Sequence, residues 1–412
     1  MNTNKFIFPI VLLGIVSSFF SCTDDKGNVL EDGMDRVSDN VAPEVFYHCM
    51  ISNADELFAF AQRVNGGEVN LNARLMNDIE ITNLEWTPIA HKAALAAMQA
   101  EGKYESAYNG IFNGNGHRIV GMKITGEEND AAAFVGMLGP SGIIQNVNFT
   151  DLNVKAGSGV AAICAFNQGQ LISCASVSGT VSGSADVSGV CAYNYGLIKH
   201  SFNQGIVKAD EYAAGICAEN KLGLIVECEN VGEVVGLHEG ASGGIACVNE
   251  HYVVNCKNSG KVRAGFTDEG VGGICAQNRA YIYNCVNAGV VEGGMNSVGG
   301  ICGKLYGENR AEIRNCVSSG AVQPVKKENV GAICGWASGS CELVNCYYAP
   351  ETSQIVDVLG GQPANSSTMC TSVRAYLNEW VDEKGEFFIS TLRGRYPIRL
   401  STWKAENREL TF

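Results

Sequence analysis

Short apolar runs, bounded by Gly, Asn and Ser, repeat along most of the chain. The clearest copy begins at Gly272-Gly273-Ile274-Cys275 and continues through Ile282-Tyr283-Asn284-Cys285 to Gly289. Copies recur from about residue 159 to residue 346, and each holds three such runs. Runs this short, rich in β-branched residues and flanked by turn residues, predict strands rather than helices.

Two series of positions, nearly all cysteine, define the period of the repeat. The first is Cys164, Cys191, Cys217, Cys247, Cys275, Cys302 and Cys334, and the second is Cys174, Ser201, Cys228, Cys256, Cys285, Cys316 and Cys346. A fixed period near 27 residues with three strands per copy predicts a solenoid in which each copy is one coil. A single coil cannot bury its apolar face, so stacked coils share one core. The predicted fold is an all-β, single-stranded parallel β-helix, and we expect right-handed crossovers.

Asparagines recur at the predicted turns in two aligned sets. One set is Asn167, Asn194, Asn220, Asn249 and Asn278, and the other is Asn255, Asn284, Asn315 and Asn345. Stacking at roughly 4.8 Å per coil allows amide side chains to hydrogen-bond along a column. We therefore interpret both sets as structural. One problem remains: the neighbours Ile274 and Cys275 are both apolar, as are Ile282 and Cys285, and strict alternation cannot bury both members of either pair. A bend or bulge would resolve this.

The remaining segments complete the predicted domain organisation. Residues 1–21 form a signal peptide with Lys5 ahead of an apolar stretch too short for a convincing spanning helix. A flexible tether (22–45) follows. An N-terminal capping helix within 46–66 has Asn53 and Glu56 as a capping box and an apolar face formed by Leu57, Phe60, Ala61 and Val64. The repeats occupy 67–349, with a helical insertion near 91–101.

Residues 350–412 predict a small α+β C-terminal cap. Ser366-Ser367-Thr368 can cap a helix with Val373, Tyr376, Leu377 and Trp380 as its buried face. Phe387–Ile389 and Tyr396–Ile398 suggest a hairpin. Cys49 and Cys370 lie near opposite ends of the solenoid, so a disulfide between them is excluded unless the tail folds back.

The charge balance and the cysteines limit the possible partners. The 412 residues carry 43 acidic and 29 basic side chains, a net charge of −14, which disfavours nucleic-acid binding. Seventeen cysteines in an exported chain suggest disulfides, but stacked side chains run parallel rather than toward each other. We therefore expect mostly buried thiols, with Cys341 and Cys346 as the best candidates for a bridge. No C-x-x-C occurs, and we expect no metal and no cofactor.

Two resemblances become visible at this point. Phe19-Phe20-Ser21-Cys22 resembles a bacterial lipobox, and Asp24-Asp25 behind it resembles the surface-export signal of Bacteroidetes lipoproteins. This resemblance implies lipidation at Cys22, a membrane attachment through the lipid, and an outer-membrane address facing the cell exterior. The alternative is a plain secretory signal with an incidental cysteine.

The second resemblance covers roughly residues 50 to 400. Leu75–Ile79, Trp86-Thr87-Pro88-Ile89 and the segment Tyr108 to Ile119 are similar to the opening of GLUG-repeat surface proteins. The Gly-Gly-Ile-Cys phrases resemble the GLUG repeat itself. Asn113, where Asp is usual, and the high cysteine content depart from the pattern. GLUG repeats also accompany zinc metallopeptidases with His-Glu-x-x-His, but no two of the six histidines here are four residues apart.

Function is the least determined property. We expect a non-enzymatic surface module that binds a glycan or a partner protein. Its candidate platform is a set of tyrosines between the first and second strands of their coils: Tyr193, Tyr195, Tyr252, Tyr281, Tyr283 and Tyr306. The alternative for these tyrosines is that they merely cover the coil corner.

Two other functions stay open. One is a β-helix enzyme that cleaves polysaccharides. Its carboxylates would need to converge, whereas we expect a solvated acidic edge formed by Asp186, Asp210, Glu211, Glu239, Asp268 and Glu269. His117, in a Gly-His-Arg turn, is a weak catalytic candidate. The other is a passive surface spacer.

Overall fold

The computed structural model describes residues 45–82, 84–98, 106–126, 131–238, 240–265, 269–326, 328–353, 355, 357, 359–391, 394–406 and 409–412. The predicted signal peptide, Cys22, and all of the predicted tether except residue 45 lie outside them. Glu239 and Asp268 of the predicted acidic edge also lie outside. His48–Phe412 form one compact unit.

Within the described residues, three parallel sheets run the length of the solenoid. Sheet I contains Cys49–Ile51, Ala73–Leu75, Ile111–Asn113, Val135–Leu138, Ile143–Gln145, Cys164–Asn167, Gln170–Ile172, Cys191–Asn194, Leu197–Lys199, Cys217–Asn220, Leu224–Val226, Ala246–Asn249, Tyr252–Val254, Cys275–Asn278, Tyr281–Tyr283, Cys302–Arg314 and Cys334–Val344. Sheet II contains Ile79–Glu80, Arg118–Val120, Asn148–Thr150, Ala175–Ser176, Phe202–Asn203, Glu229–Asn230, Lys257–Asn258, Val286–Asn287, Val317–Ser318, Tyr347–Tyr348 and Gln362–Pro363. Sheet III contains Lys123–Thr125, Leu152–Ala161, Gly179–Ser188, Ile206–Ala209, Ala213–Ala214, Val234–Gly236, Ser242–Gly243, Val262–Ala264, Val271–Gly272, Val291–Gly293, Val298–Gly299, Val322–Pro324 and Val330–Gly331.

Helices are few in the described part of the chain. They are α1 (Ala54–Asn65), α2 (His91–Met98), α3 (Pro350–Ser353), α4 (Ser366–Thr368), a π-helical turn (Met369–Val373) and α5 (Arg374–Lys384). The two antiparallel hairpins are formed by Glu386–Thr391 with Gly394–Arg399 and by Lys404–Glu406 with Glu409–Thr411. The prediction of an all-β parallel solenoid is confirmed.

The strand register corrects one member of the first cysteine series. Cys164, Cys191 and Cys217 are in register, as are Cys275, Cys302 and Cys334. Between the two groups the register residue is Ala246, which pairs with Cys217 on one side and Cys275 on the other. Cys247 is therefore one position out of the column. The aligned asparagines fix this register, because Asn220 pairs with Asn249.

Bends at the coil corners explain how neighbouring apolar residues are both buried. Gly273 and Ile274 form a bend between sheet III and sheet I, and Ile274 and Cys275 are fully buried. Ile282 and Cys285 are also fully buried because Asn284 between them has a φ of 52°. The same corner has a φ of 50° to 58° at Asn115, Asn146, Ser173, His200, Glu227, Asn255, Asn284, Asn315 and Asn345. Asn tolerates this left-handed conformation better than most residues, which accounts for its recurrence there.

Amide ladders join the coils at three corners. The Nδ2 of Asn167, Asn194, Asn220 and Asn249 donates to the Oδ1 of the next asparagine over 2.7–2.8 Å. The second predicted set, Asn255 to Asn345, forms a ladder with bonds of 2.5–2.8 Å. A third ladder, missed from the sequence, links Asn203, Asn230, Asn258 and Asn287 over 2.8 Å each. Nearly all of these amides are buried, so the ladders satisfy polar groups that water cannot reach.

Different devices cover the two ends of the core. The N-terminal helix α1 has Asn53 as its N-cap, 3.0 Å from the Glu56 amide, and buries the four predicted apolar residues. Its Phe60 ring lies 5.8 Å from Phe112 in the first coils.

At the other end, the carboxylate of Asp357 accepts hydrogen bonds from the amides of Ile333 and Cys334 at 2.6 and 3.0 Å. Inside the solenoid, the equivalent amides donate to carbonyls of the next coil. At this end, the Asp357 carboxylate takes the place of those carbonyls.

The last 47 residues do not extend the end cap but fold back along the flank of the solenoid. Leu377, Val381, Ile389, Ile398 and Trp403 of this tail (residues 366–412) pack on a row of outward-facing repeat residues: Leu197, Leu224, Val226, Val254, Tyr283, Val286 and Val317. The predicted hairpin is present.

The helical part of the tail departs from the prediction in two details. Asn365 is the N-cap rather than Ser366, Ser367 or Thr368, since its Oδ1 accepts from the Thr368 amide at 2.9 Å. Tyr376 is 57% exposed, not buried. The π-helical turn Met369–Val373 shifts the phase of α5 away from an ideal helical stripe.

Candidate binding groove

A groove of about 360 Å³ lies between sheet I and α5, lined by Tyr283, Glu312, Arg314, Trp380, Glu383 and Lys384. Its floor comes from two adjacent coils, since Tyr281 pairs in register with Glu312 and Tyr283 with Arg314. Alternation along each strand directs these four side chains outward, while Ile282 and Ile313 between them enter the core.

The polar groups on the floor satisfy one another. Tyr283 Oη donates a hydrogen bond of 3.0 Å to Glu312 Oε2, and Arg314 forms an ion pair with the other oxygen of Glu312. Glu312 is only 5% exposed, so Arg314 supplies the charge partner that a buried carboxylate requires. Burial, and then the charge of Glu312, raise the pKa of the Tyr283 hydroxyl. Tyr283 therefore remains a neutral donor.

Aromatic rings form one wall and the adjoining surface. The Trp380 ring, brought in by α5, lies 5.7 Å from Tyr283 at an interplanar angle of 77°, and Arg314 Cζ lies 5.7 Å from the Trp380 centroid. Tyr252 stacks on Tyr281 at 4.6 Å, and Tyr281 lies 5.7 Å from Tyr283. Apolar ring faces next to charged hydrogen-bonding groups are the combination used to hold flat, hydroxylated ligands.

The six predicted tyrosines do not form one column. Tyr252, Tyr281 and Tyr283 lie together in second strands of their coils, and they do not lie between strands as expected. Tyr193 lies in a first strand, where it stacks on Phe166 at 4.6 Å. Tyr195 packs against the core, and Tyr306 contacts Trp336 at 5.4 Å. The tyrosines do not form a column because the strand register places Glu219, and not a tyrosine, next to Tyr193 in the following coil.

The acidic edge is also less uniform than predicted. Asp186 is not solvated but 8% exposed, with a φ of 53°. Tyr193 Oη donates to Asp186 Oδ2 at 2.6 Å. Burial and the neighbouring Glu219 raise the pKa of Asp186 to about 7. Asp210 lies on the surface as expected and pairs with His238 at 2.9 Å.

His117 has a structural partner. Its Nδ1 lies 3.3 Å from Asp78 Oδ1, and the same carboxylate accepts bonds from the Arg118 amide and guanidinium at 3.0 and 2.8 Å. The Arg118 contacts lower the pKa of Asp78. Asp78 thus joins two coils through this turn.

The described residues show neither a metal-ligand cluster nor a disulfide. No three His, Cys, Asp or Glu side chains among them converge as ligands. All sixteen described cysteines, including Cys341, Cys346, Cys49 and Cys370, are thiols. In the part of the chain that the structure describes, no helix has the length and apolarity to cross a bilayer.

The repeat itself matches a known motif. Residues 295–323, one coil that includes Cys302–Arg314 and the groove residues Glu312 and Arg314, match the GLUG motif. The chain carries a GLUG motif. The resemblance to GLUG repeats is thereby confirmed, and the groove floor belongs in part to a GLUG coil.

The chain is also similar to three known proteins. Halomucin from Haloquadratum walsbyi is 30% identical over 86 residues, which cover 21% of this chain and 1% of Halomucin. A crystal structure of a candidate immunoglobulin A1 protease from Bacteroides ovatus has a TM-score of 0.44 and 18% identity, covering 85% of this chain and 91% of that one. A structure named IgA1 Protease has a TM-score of 0.42 and 12% identity, covering 72% of this chain and 21% of that one.

Of the residues that line the groove, Tyr283 was predicted from the sequence as a binding residue, as was its neighbour Tyr281, and the other lining residues were not. Glu312 and Arg314 lie in a coil whose two cysteines, Cys302 and Cys316, are 14 residues apart rather than the 10 of Cys275 and Cys285, and Trp380 is 97 residues from Tyr283. Counting back from Cys316 would have placed Glu312 and Arg314 in the columns of Tyr281 and Tyr283, because Cys285 and Cys316 are aligned. Nothing in the sequence signals that α5 returns to this flank.

Proposed function

We propose that this GLUG-motif protein is a non-enzymatic, lipid-anchored surface module that captures glycans in the groove beside Trp380. The observation that carries the proposal is that the rings of Tyr281, Tyr283 and Trp380 lie together beside the half-buried Arg314, which forms an ion pair with Glu312 in the floor of the groove. Sugar rings stack on aromatic faces, and their hydroxyls exchange hydrogen bonds with carboxylate and guanidinium groups.

The polar groups of the groove favour binding over catalysis. Both carboxylate oxygens of Glu312 are occupied, one by the Tyr283 hydroxyl and the other by Arg314, so neither is free to act on a glycosidic oxygen as a general acid. A glycosidase needs one carboxyl group that holds a proton and a second that does not. The other carboxyl group that lines the groove, Glu383, is exposed at its rim. We therefore propose capture without bond cleavage.

A glycan array tests the proposal with residues 46–412, which contain the compact unit His48–Phe412. Trp380→Ala, in the groove, and Tyr281→Ala, on the aromatic surface next to it, should each abolish a saturable signal. Tyr376→Ala is the matched control, because Tyr376 lies on the same helix, is 57% exposed and does not line the groove. A signal that survives both of these substitutions would contradict the assigned site. A blank array would leave a protein-binding adhesin or a passive spacer, and shortened glycans would indicate an enzyme.

The lipid anchor is tested separately in cells. Metabolic labelling with an alkyne fatty acid should label the full chain and fail in Cys22→Ser. Cys49→Ser is the control, since Cys49 is a thiol within the folded unit. Protease added to intact cells should remove the labelled protein from the exterior. Label retained by Cys22→Ser would contradict lipidation at this position.

A further inference from the structure

The charged side chains that line the groove balance one another. Among the described residues of the lining, two are acidic, Glu312 and Glu383, and two are basic, Arg314 and Lys384. The lining therefore carries no net charge, and the whole chain is acidic, with a net charge of −14. A ligand that carries a carboxylate or a sulfate gains no long-range attraction from such a charge distribution.

Arg314 is the cation in the floor of the groove, and two carboxylates lie next to it. Its Nε forms an ion pair with Glu312, and its Nη2 lies 3.9 Å from Glu342 Oε2. Glu342 is also held by Arg310, at 3.2 Å. These four side chains alternate in sign. An anionic ligand at Arg314 would therefore come close to two carboxylates as well as to the guanidinium.

The burial of Glu312 makes its ion pair with Arg314 difficult to exchange. Glu312 is 5% exposed, whereas the side chain of Arg314 is 26% exposed. If Arg314 turned toward a ligand carboxylate, Glu312 would lose its counter-charge inside the protein, which is strongly unfavourable. The Tyr283 hydroxyl would still donate to Glu312, but a neutral donor does not replace a cation. An anionic ligand thus competes with a buried carboxylate for one guanidinium.

The remaining hydrogen-bonding groups of the floor suit a hydroxyl. A guanidinium has several N–H groups, and the bond to Glu312 uses the one at Nε of Arg314. Tyr283 donates its hydroxyl proton to Glu312, so its oxygen accepts from a ligand. Donors and an acceptor thus lie together beside the Trp380 ring. A sugar hydroxyl both donates and accepts, whereas a carboxylate or a sulfate only accepts.

We infer that the groove selects uncharged sugar residues and excludes glycans that carry carboxylate or sulfate groups. The inference rests on the proposed function, because it names the class of glycan that the same groove takes. The sugar ring packs on Trp380. One hydroxyl accepts from Arg314, another donates to Tyr283 Oη, and the ion pair between Arg314 and Glu312 stays intact.

Matched glycans that differ only in charge test this selection. The probes are 1,4-linked glucan, galactan and mannan oligosaccharides and the same compounds with their C6 hydroxyls oxidised to carboxylates, titrated against the full chain in detergent. We expect the neutral form of each bound pair to bind at least about tenfold more tightly. Its affinity should be constant between about 0.05 and 0.5 M NaCl, while that of the oxidised form should rise as salt screens the repulsion.

The possible results separate this inference from the proposed function. An oxidised form that binds as tightly as its neutral parent, or more tightly, would overturn the inference and leave glycan capture in place. A lack of binding in every pair would contradict both. Trp380→Ala should abolish binding of the neutral form, which locates the binding in the groove.

Removing the counter-charge of Arg314 should weaken the selection. Glu312→Gln has nearly the same shape and can still accept from Tyr283, but it leaves the guanidinium without its buried carboxylate. A ligand carboxylate can then take that place. We expect the preference for the neutral form to fall by about tenfold or more. Glu342→Gln removes the second carboxylate near Arg314 and serves if Glu312→Gln does not fold.

A control substitution separates the ion pair from net charge. Glu379→Gln changes the net charge by the same amount, and Glu379 is exposed on α5 next to Trp380 without lining the groove. The preference for the neutral form should be unchanged in this variant. Equal effects of Glu312→Gln and Glu379→Gln, or an unchanged preference in a folded Glu312→Gln protein, would overturn the inference.

Discussion

The indole nitrogen of Trp403 donates a hydrogen bond of 2.6 Å to Oδ1 of Asn284, a corner residue of the solenoid 119 positions earlier. Neighbouring corner asparagines hold the same tail by its backbone: Asn255 binds Arg399 O at 2.9 Å and the Ser401 amide at 3.1 Å. One ladder therefore both joins the coils and anchors the segment that completes the groove.

Loosening this anchor should release the tail without unfolding the solenoid. Trp403→Phe removes the indole donor, and we expect a loss of about 1–3 kcal/mol in tail stability. Hydrogen exchange should then accelerate in residues 366–412 while the coils remain protected. Tyr376→Phe is the control on the exposed face of α5. Uniformly faster exchange through all coils would mean that the tail and solenoid unfold as one unit.

Breaking the third amide ladder should lower the free energy of unfolding more than truncating a neighbouring surface side chain does. Asn258→Ala leaves the amide of Asn230 and the carbonyl of Asn287 without their 2.8 Å partners, so we expect the free energy of unfolding to fall by about 1–3 kcal/mol. Lys257→Ala, at the adjacent half-exposed position, should change it by about 0.5 kcal/mol or less. Equal effects in urea titrations would show that the ladder contributes nothing specific.

The third amide ladder leaves no space for a side chain at Gly273, the second glycine of Gly272-Gly273-Ile274-Cys275. A Cβ on Gly273 would lie 2.2 Å from Gly300 O and 2.3 Å from Asn287 Cγ. Gly273→Ala should lower the unfolding free energy by at least the roughly 1–3 kcal/mol of an overpacked core. Gly205→Ala, whose nearest added contact is the Ser176 hydroxyl at 3.0 Å, should cost less. Thermal unfolding of both variants checks the order, and a reversed order would contradict the assigned contact.

Stability should fall as pH rises through the titration of Asp186. Its folded pKa of about 7 lies above the ordinary value of 3.8, so the folded state binds an extra proton between these values. The resulting stabilisation is complete below about pH 4 and is lost as pH approaches 7. In Asp186→Asn, the free energy of unfolding should change less with pH between these values. At pH 8 it should exceed that of the wild type by about 1–3 kcal/mol, since one pKa unit corresponds to about 1.4 kcal/mol. An unchanged slope in the variant would exclude Asp186 as its source. Asp210→Asn, at an exposed carboxylate, is the control.

Repetition made the solenoid predictable. Because stacked coils place equivalent residues above one another, the alignment of asparagines and cysteines gave the coil period and two of the three ladders. The α1 apolar face followed from helical periodicity in the same way. The position of Cys247 was wrong because cysteine spacing was followed where asparagine spacing sets the register.

The sequence by itself determined a stacked parallel fold, since local periodicity and nearest-neighbour contacts between similar coils are sufficient to specify it. Only the tertiary structure decided that residues 366–412 return along the flank and bring Trp380 to Tyr283. It also decided that Asp186 is buried against Tyr193. These features depend on contacts between dissimilar segments, or on the register between coils, and neither leaves a periodic trace in the chain.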